Sequence, residues 1–161
     1  MGFYRIFYLN LERMSEVRPL PMGAIVLGAL LSRAKALFVQ KSEKKALPHV
    51  GQTLFAQLDS LKFLCFYDEN GDAQIFPVVQ ATSAGSDRIA LTGIPFGSEL
   101  KKIPDGAKVS ILCLNLKMES VLVKGRYIKG ILEIERVYNS MPPKMEYVYP
   151  RSESIEPVRS F

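Results

Sequence analysis

Residues 61–81, LKFLCFYDENGDAQIFPVVQA, decide the fold class of this chain. Two apolar runs, 61–67 and 73–81, flank a turn that contains Asn70-Gly71, and this dipeptide between apolar runs is a strong hairpin signal. Pro77 lacks a backbone N–H, which places the second strand at the edge of a sheet or at a bulge. The stretch therefore predicts an antiparallel hairpin with an edge or bulged second strand.

Four more short strands are expected downstream, each ended by turn residues. A short helical segment, Phe96-Gly97-Ser98-Glu99-Leu100-Lys101-Lys102, interrupts them once. Many short strands at close spacing favour a small β-barrel or sandwich. A helix N-terminus inside such a fold offers free N–H groups to an anion. The four strands are 88–92, 108–114, 120–127 and 131–138.

Two helices are expected before the strands. Apolar residues at helical spacing predict one helix over 22–40 and another over 50–60. The aromatic and basic residues 1–20 are compatible with either a strand or a docking arm. The expected parts of the chain are an N-terminal extension with one helix (1–47), the strand-rich domain (48–140) and a Pro-rich C-terminal tail (141–161).

Length, composition and net charge limit the classes of function that this chain can have. The chain has 161 residues, 48% of them hydrophobic, and a formal net charge of +5, which suits one domain with a buried core. Because the charges are scattered, a dedicated nucleic-acid surface is not indicated, whereas a small anionic ligand or an anionic lipid is compatible. The apolar run 22–31 falls short of the roughly 20 residues that a membrane span needs. A cytoplasmic protein is therefore expected.

Residues with intrinsic chemistry are sparse. Cys65 and Cys113 lie within predicted strands and are expected to be buried free thiols. The sequence has one histidine, His49, and a metal site needs more ligands, so no metal is expected. No Gly-x-Ser-x-Gly elbow, Walker A loop or dinucleotide glycine fingerprint is present. An enzyme with this sequence would therefore take its reactive group from a cofactor.

The leading candidate site lies around the Gly97-Ser98 step. Gly97 lets a ligand approach the backbone, Ser98 is a suitable N-cap, and Lys101 and Lys102 follow one turn later. Together these groups can form a phosphate cradle of N–H groups, a hydroxyl and cations. The alternative is an ordinary capped helix with solvated lysines.

Two residues of the third predicted strand are further candidates. Thr92 ends this strand and either hydrogen-bonds a ligand or satisfies the local turn. Arg88 opens the same strand and is either a ligand contact or an outward-pointing cation.

The order of these elements resembles the pyridoxamine 5'-phosphate oxidase-like FMN-binding split barrels over roughly residues 48–140. The hairpin 63–78 is similar to that family's opening strand, Gly-containing turn and Pro-bearing second strand. Arg88-Ile89-Ala90-Leu91-Thr92, the loop and Ser98-Glu99-Leu100-Lys101-Lys102 come next. The segments 106–112 and 121–125 then follow in the expected order.

This resemblance implies a mainly β fold, a small six-stranded antiparallel split barrel with flanking helices and an N-terminal helical extension. It also implies a homodimer with FMN at the subunit interface, and flavin-dependent oxidoreductase activity on a small substrate. The residues that it assigns to cofactor binding are Thr92, Ser98 and Lys101 on the phosphate side, and Val78, Val79 and Gln80 nearest the isoalloxazine ring. Arg88 and Lys102, which the sequence itself singled out, complete the expected cofactor-binding residues.

Two features depart from the family pattern. The family often has Ser-x-Lys at the helix start, whereas Leu100 stands third here and Lys101 fourth. Residues 77–81 also carry no cation where the family usually has an arginine. Two other functions stay open: a non-catalytic flavin-binding or other cofactor-binding protein, and a small barrel that binds a partner or single-stranded nucleic acid through exposed aromatic residues.

Overall fold

A computed structural model describes residues 21–39, 46–117 and 119–138 of the chain. The predictions for residues 1–20 and for the Pro-rich tail 141–161 lie outside these residues. The helices and strands are α1 (Met22–Phe38), α2 (His49–Ala56), β1 (Leu61–Tyr67), β2 (Ala73–Pro77), β3 (Thr82–Ser83), β4 (Arg88–Ala90), α3 (Gly97–Leu100), β5 (Lys108–Leu114), β6 (Ser120–Ile128) and β7 (Ile131–Tyr138).

The strands form one antiparallel sheet in the order β2-β1-β5-β6-β7-β4-β3. The prediction of a mainly β, antiparallel barrel-like fold with flanking helices is confirmed. The sheet is not closed, because β2 and β3, which are neighbours in sequence, form its two opposite edges. The expected count of six strands is wrong, since the described residues form seven.

The seventh strand is β3, which lies just beyond the predicted strand 73–81. The β2 strand ends at Pro77, and a turn closed by the hydrogen bond from Ala81 N to Val78 O (2.8 Å) separates it from β3. Val78 N donates to Lys62 O at 2.8 Å. Val79 O accepts from the buried Lys62 ammonium at 3.2 Å. These contacts with β1 hold the turn in place.

Boundaries of several other elements also differ from the sequence prediction. The β4 strand ends at Ala90 instead of at residue 92, and α1 ends at Phe38. The α2 helix begins at His49 and ends at Ala56 instead of at residue 60, because Gln57 leaves the helical region (φ −69°, ψ 136°). The β4 strand and the C-terminal ends of α1 and α2 are shorter than predicted, whereas α2 begins one residue earlier.

The hydrophobic core lies between the inner face of the sheet and α2. Burial alternates along β1, β5 and β6, as expected for strands with one covered face. Phe66 and Phe76 meet edge to face, with ring centroids 6.3 Å apart. The α2 helix covers the sheet with Leu54 and Phe55, both almost fully buried. This core fixes the ends of β4, β6 and β7, where the candidate site lies.

The α1 helix packs on the sheet at β3 and β4. The contact is close at Gly28, where an added Cβ would overlap the carbonyl oxygen of Ile94. Glycine is therefore required for α1 to approach the backbone this closely. Within the described residues, no helix has the length and apolar character needed to cross a membrane.

Candidate functional site

A cleft of about 1010 Å³ opens between the C-terminal half of α1, α3 and the β6–β7 turn, and we call it the α3 pocket. Its size is that of a typical cofactor site. It brings Thr92, Ser98 and Lys101 together, three residues that the sequence singled out. The residues that line it are Lys35, Leu91, Thr92, Gly93, Ile94, Pro95, Gly97, Ser98, Leu100, Lys101, Ile103, Asp105, Tyr127, Lys129 and Gly130.

Thr92 contributes to the wall of the pocket through its contacts with α1. Its hydroxyl donates to the carbonyl oxygen of Gly28 at 2.9 Å. It also lies 3.0 Å from the Ser32 hydroxyl. The Thr92 side chain is therefore engaged by the N-terminal helix, and its role here is to hold α1 against the barrel.

Ser98 does not cap α3, so that prediction is wrong. The N-cap position is Phe96, without a side-chain hydrogen bond to the helix, and α3 is only four residues long. The Ser98 hydroxyl donates instead to the Glu99 carboxylate at 2.6 Å. A helix this short aligns few peptide dipoles, so side chains rather than a helix terminus must supply most of the attraction for an anion.

Lys101 is an exposed lysine at the mouth of the pocket, next to the exposed Ser98. The backbone beside these two residues is accessible, since a Cβ added at Gly97 would meet none of the described atoms within 4 Å. Lys102 is also exposed but lies outside the pocket lining. A ligand at the mouth of the pocket can therefore reach the Ser98 hydroxyl, the Lys101 ammonium and the accessible backbone at Gly97.

Lys35 is a pocket residue that the sequence analysis missed. Its ammonium donates to three carbonyl oxygens, those of Leu91 (3.1 Å), Lys129 (3.0 Å) and Gly130 (2.9 Å). Burial lowers the pKa of Lys35 from its ordinary value. The signal was present in the spacing, because Lys35 falls on the same helical face as the buried Ile25, Gly28 and Ser32.

The charge balance of the pocket is positive. Lys35, Lys101 and Lys129 contribute three ammonium groups, against one carboxylate from Asp105. That carboxylate is already engaged, because it accepts a hydrogen bond from Lys129 N at 2.9 Å. An anionic group is therefore the ligand chemistry that the pocket favours.

The predicted ring-side residues lie outside the pocket lining. Val78 is fully buried in the core and Val79 is half-buried in the turn after β2. Gln80 is only 1% exposed and donates from Nε2 to Thr92 O at 3.0 Å. Its Oε1 has no hydrogen-bond partner among the described residues. Gln80 thus supports the pocket wall from the side of the barrel.

Arg88 lies outside the pocket lining and forms ion pairs at the sheet. Its guanidinium is 3.3 Å from the Glu133 carboxylate on the neighbouring β7 strand and 3.7 Å from Asp87. These partners compensate its charge. The structure therefore unites Thr92, Ser98 and Lys101, and separates Arg88, Lys102, Val78 and Val79 from them.

A second, smaller groove of about 400 Å³ lies on the outer face of the sheet. It carries both signs of charge and a partly exposed thiol, Cys65. The Lys124 ammonium lies 5.2 Å from the centroid of the Tyr138 ring, close enough for a cation–π contact. The groove is lined by Cys65, Phe66, Tyr67, Lys108, Val109, Ser110, Lys124, Gly125, Glu135 and Arg136.

Solved structures show the same fold at low sequence identity. Tagged HupZ of Group A Streptococcus is 13% identical, and the match covers 60% of this chain and 95% of HupZ with a TM-score of 0.50. A histidine-to-alanine variant of HupZ is 13% identical (58% and 98% covered, TM-score 0.48). A candidate pyridoxamine 5'-phosphate oxidase from Lactobacillus delbrueckii is 18% identical (62% and 99% covered, TM-score 0.45).

No family model and no curated protein matches the chain. The similarity to HupZ leaves about two fifths of this chain unmatched. It agrees with the element order on which the sequence resemblance rests. The chain has the split-barrel fold of the pyridoxamine 5'-phosphate oxidase-like proteins.

Proposed function

We propose that the protein binds FMN with its phosphate group in the α3 pocket. The observation that carries this proposal is the convergence of Lys101, Ser98 and two further ammonium groups, those of Lys35 and Lys129, at one cleft of cofactor size. A phosphate dianion is attracted by this charge, and a lysine can contact it through a charge-assisted hydrogen bond. The split-barrel fold agrees with a flavin as the ligand.

The residues of the proposed site differ in whether their hydrogen-bond donors can turn toward a phosphate. Lys101 and Ser98 are exposed, so both can turn onto a phosphate, the Ser98 hydroxyl leaving the Glu99 carboxylate to do so. The Lys35 ammonium is held by three carbonyl oxygens and acts through its positive field. Thr92 positions α1, and Lys102 adds a second cation beside Lys101.

The isoalloxazine ring would lie against the pocket wall that Gln80 supports from behind, through its hydrogen bond to Thr92 O. Val78 and Val79, in the core and in the turn after β2, would act on the ring only through this wall. Arg88 is not a ligand in this proposal, because Glu133 and Asp87 already compensate its charge. FMN, when bound, supplies hydride or electron transfer, so the protein would act as a flavin-dependent oxidoreductase.

A homodimer and a cytoplasmic setting belong to the same proposal. The described residues leave two apolar surfaces exposed, one on α1 and one on the outer face of the sheet. Cys65 and Cys113 are both free thiols, as is usual for proteins of reducing compartments. We also propose the division into an extension (1–47), the FMN-binding domain (48–140) and a tail (141–161).

An FMN titration tests the proposal. The absorption spectrum of freshly purified protein should show a bound yellow chromophore, or apoprotein should quench FMN fluorescence in a saturable way. Turnover of NAD(P)H in the presence of bound FMN would then separate an oxidoreductase from a non-catalytic flavin-binding protein. Colourless protein that leaves FMN fluorescence unchanged at any protein concentration would overturn the assignment.

The groove on the outer face of the sheet favours a second candidate function, binding of an anionic strand. It combines Lys108, Lys124 and Arg136 with the exposed ring of Tyr67, and single-stranded nucleic acids bind to such combinations of cations and aromatic rings. Fluorescence anisotropy with a labelled oligonucleotide tests this function. Binding that falls with Lys124→Ala and with added salt supports it, and unchanged anisotropy rejects it.

A further inference from the structure

The α1 helix directs its polar side chains to the barrel and leaves a broad apolar face exposed. Ser32 lies 3.0 Å from the Thr92 hydroxyl. Arg33 donates from Nη2 to Ala56 O at 2.8 Å, and Lys35 donates to three carbonyl oxygens of the barrel. Every exposed residue of α1 except Arg33 is apolar or glycine. A surface helix normally shows the opposite arrangement, with its polar face in water.

The exposed apolar face of α1 is large enough to be an interface. Seven large side chains on it are 42–89% exposed. An aromatic side chain offers roughly 150–250 Å² and an aliphatic one less, so at these exposures the seven present on the order of 600 Å² of apolar surface. That reaches the upper end of the largest patch on a typical monomer and approaches the roughly 800 Å² that one partner contributes to a standard protein–protein interface. The seven residues are Met22, Val26, Leu27, Leu30, Leu31, Leu37 and Phe38.

The spacing along this face points to another helix as the occupant. Gly23, Leu27, Leu30, Ala34 and Leu37 follow one another at intervals of 4, 3, 4 and 3 residues, and this heptad spacing makes a seam between two helices. A helix that lies on a lipid surface instead carries Lys and Arg on a solvent-facing polar side. In α1 the side chains of Ser32, Arg33 and Lys35 make hydrogen bonds to the rest of the protein, and the broad exposed face is apolar.

The sizes along the seam indicate an antiparallel pair with a second copy of α1. When two copies run antiparallel about Leu30, Gly23 faces Leu37 of the other copy and Ala34 lies level with Val26. Each small residue then receives a larger apolar side chain, and the facing layers interdigitate. A parallel pair would instead place glycine on glycine and alanine on alanine, leaving two gaps.

We infer that α1 packs antiparallel on α1 of a second copy of this chain, with Leu30 at the twofold axis. This rests on the homodimer of the proposed function and names its surface. The contact is isologous, as a twofold axis requires. The outer face of the sheet is less suited to this role, because Lys124, Arg126 and Glu135 interrupt its apolar side chains.

The mass of the full-length chain in solution tests the pairing. Light scattering at micromolar concentration, without flavin, should give about 36 kDa, twice the 18.1 kDa of one chain. Leu30→Glu should return a folded monomer, because two carboxylates would then meet at the twofold axis. Leu116→Glu is the control, since Leu116 is 95% exposed in the β5–β6 turn. A monomeric parent protein, or a Leu30→Glu variant that stays dimeric, would overturn the inference.

Crosslinking tests the orientation in a Cys65→Ser background. A short bismaleimide should join two copies through Leu30→Cys but not through Leu37→Cys, whose two sites would lie about 21 Å apart along an antiparallel pair. Efficient crosslinking at both positions would show a parallel pair and overturn the arrangement. The protein could instead be a monomer that sediments with anionic vesicles. If Leu30→Glu abolishes this sedimentation, the exposed face of α1 binds lipid and not a second copy. These experiments contain no flavin, so their results test the pairing of α1 even if the protein does not bind FMN.

Discussion

The hydroxyl of Thr92 donates a hydrogen bond to the carbonyl oxygen of Gly28 at 2.9 Å. One residue lies just past β4 and the other in the middle of α1, 64 positions away in sequence. The Ser32 hydroxyl adds a second contact with Thr92. The N-terminal helix is thus a structural part of the α3 pocket, so changes in α1 should alter ligand binding as well as stability.

Gly28→Ala should destabilise the protein by about 1–3 kcal/mol, because the added Cβ overlaps Ile94 O and forces α1 away from the barrel. Urea unfolding measures the change. Gly97→Ala, in the helix α3, is the matched control. A Cβ there meets none of the described atoms within 4 Å, so stability should stay or rise by up to about 1 kcal/mol. Equal effects of the two substitutions would mean that α1 does not pack as described.

Lys35→Met should lower the free energy of unfolding by about 1.5–3 kcal/mol, because three carbonyl oxygens lose their ammonium partner. It should also weaken FMN binding by removing a positive charge from the pocket. Lys117→Met, at an exposed lysine in the β5–β6 turn, is the control and should change neither quantity. Parent-like unfolding of Lys35→Met would show that Lys35 is solvated.

Lys62 should make stability depend on pH in the alkaline range. It is 1% exposed, and burial lowers its pKa to about 8 from 10.5. Between pH 8 and 9 the unfolded chain holds a proton that the folded amine releases, so stability should rise with pH by roughly 1 kcal/mol. Lys62→Met should abolish the rise. A parent protein with a flat profile from pH 8 to 9 would contradict the burial of this charge.

The rise in stability with pH should end near pH 9, because the Cys113 thiol has the opposite effect above that pH. Burial raises the pKa of this thiol to about 12 from 9.0. Above pH 9 the unfolded thiol ionises while the folded one keeps its proton, so this group lowers stability as the pH increases. In Cys113→Ala the rise from Lys62 should therefore continue toward pH 10. Unfolding midpoints of the parent protein and of both variants, measured every half pH unit, separate the effects of Lys62 and Cys113.

Local sequence signals were enough to predict the β1–β2 hairpin. Gly71 has φ +83°, which glycine adopts without strain. The Asp68 carboxylate accepts hydrogen bonds from Asn70 N (3.0 Å) and Asp72 N (2.9 Å). The turn is thus specified by the residues within it, and such signals can be recognised without tertiary structure.

The errors in the sequence prediction share a tertiary cause. The break between β2 and β3 depends on hydrogen bonds to Lys62, and the start of α3 depends on how the 91–96 loop meets α1. Lys35 enters the pocket from a helix 57 residues before Thr92. Contacts between distant segments leave little trace in local patterns, so these features required the structure.

Lys101→Ala should weaken FMN binding by roughly tenfold to a hundredfold, since a charge-assisted contact is worth about 1.5–3 kcal/mol. Fluorescence quenching measures the dissociation constant. Lys117→Ala is the control, with an exposed lysine that lies outside the α3 pocket. If Lys101→Ala and Lys117→Ala lose affinity for FMN equally, and added salt abolishes the binding, the net positive charge of the protein attracts FMN without a specific contact. Parent-like binding by Lys101→Ala would show that this lysine is an ordinary solvated residue.

The central claim is that the α3 pocket recognises a phosphate, and comparing FMN with riboflavin tests it most directly. The two ligands share the isoalloxazine ring and differ by the phosphate group. Fluorescence quenching at low ionic strength should give at least about tenfold tighter binding of FMN, as expected for one charge-assisted contact. Equal affinities for FMN and riboflavin would contradict the account.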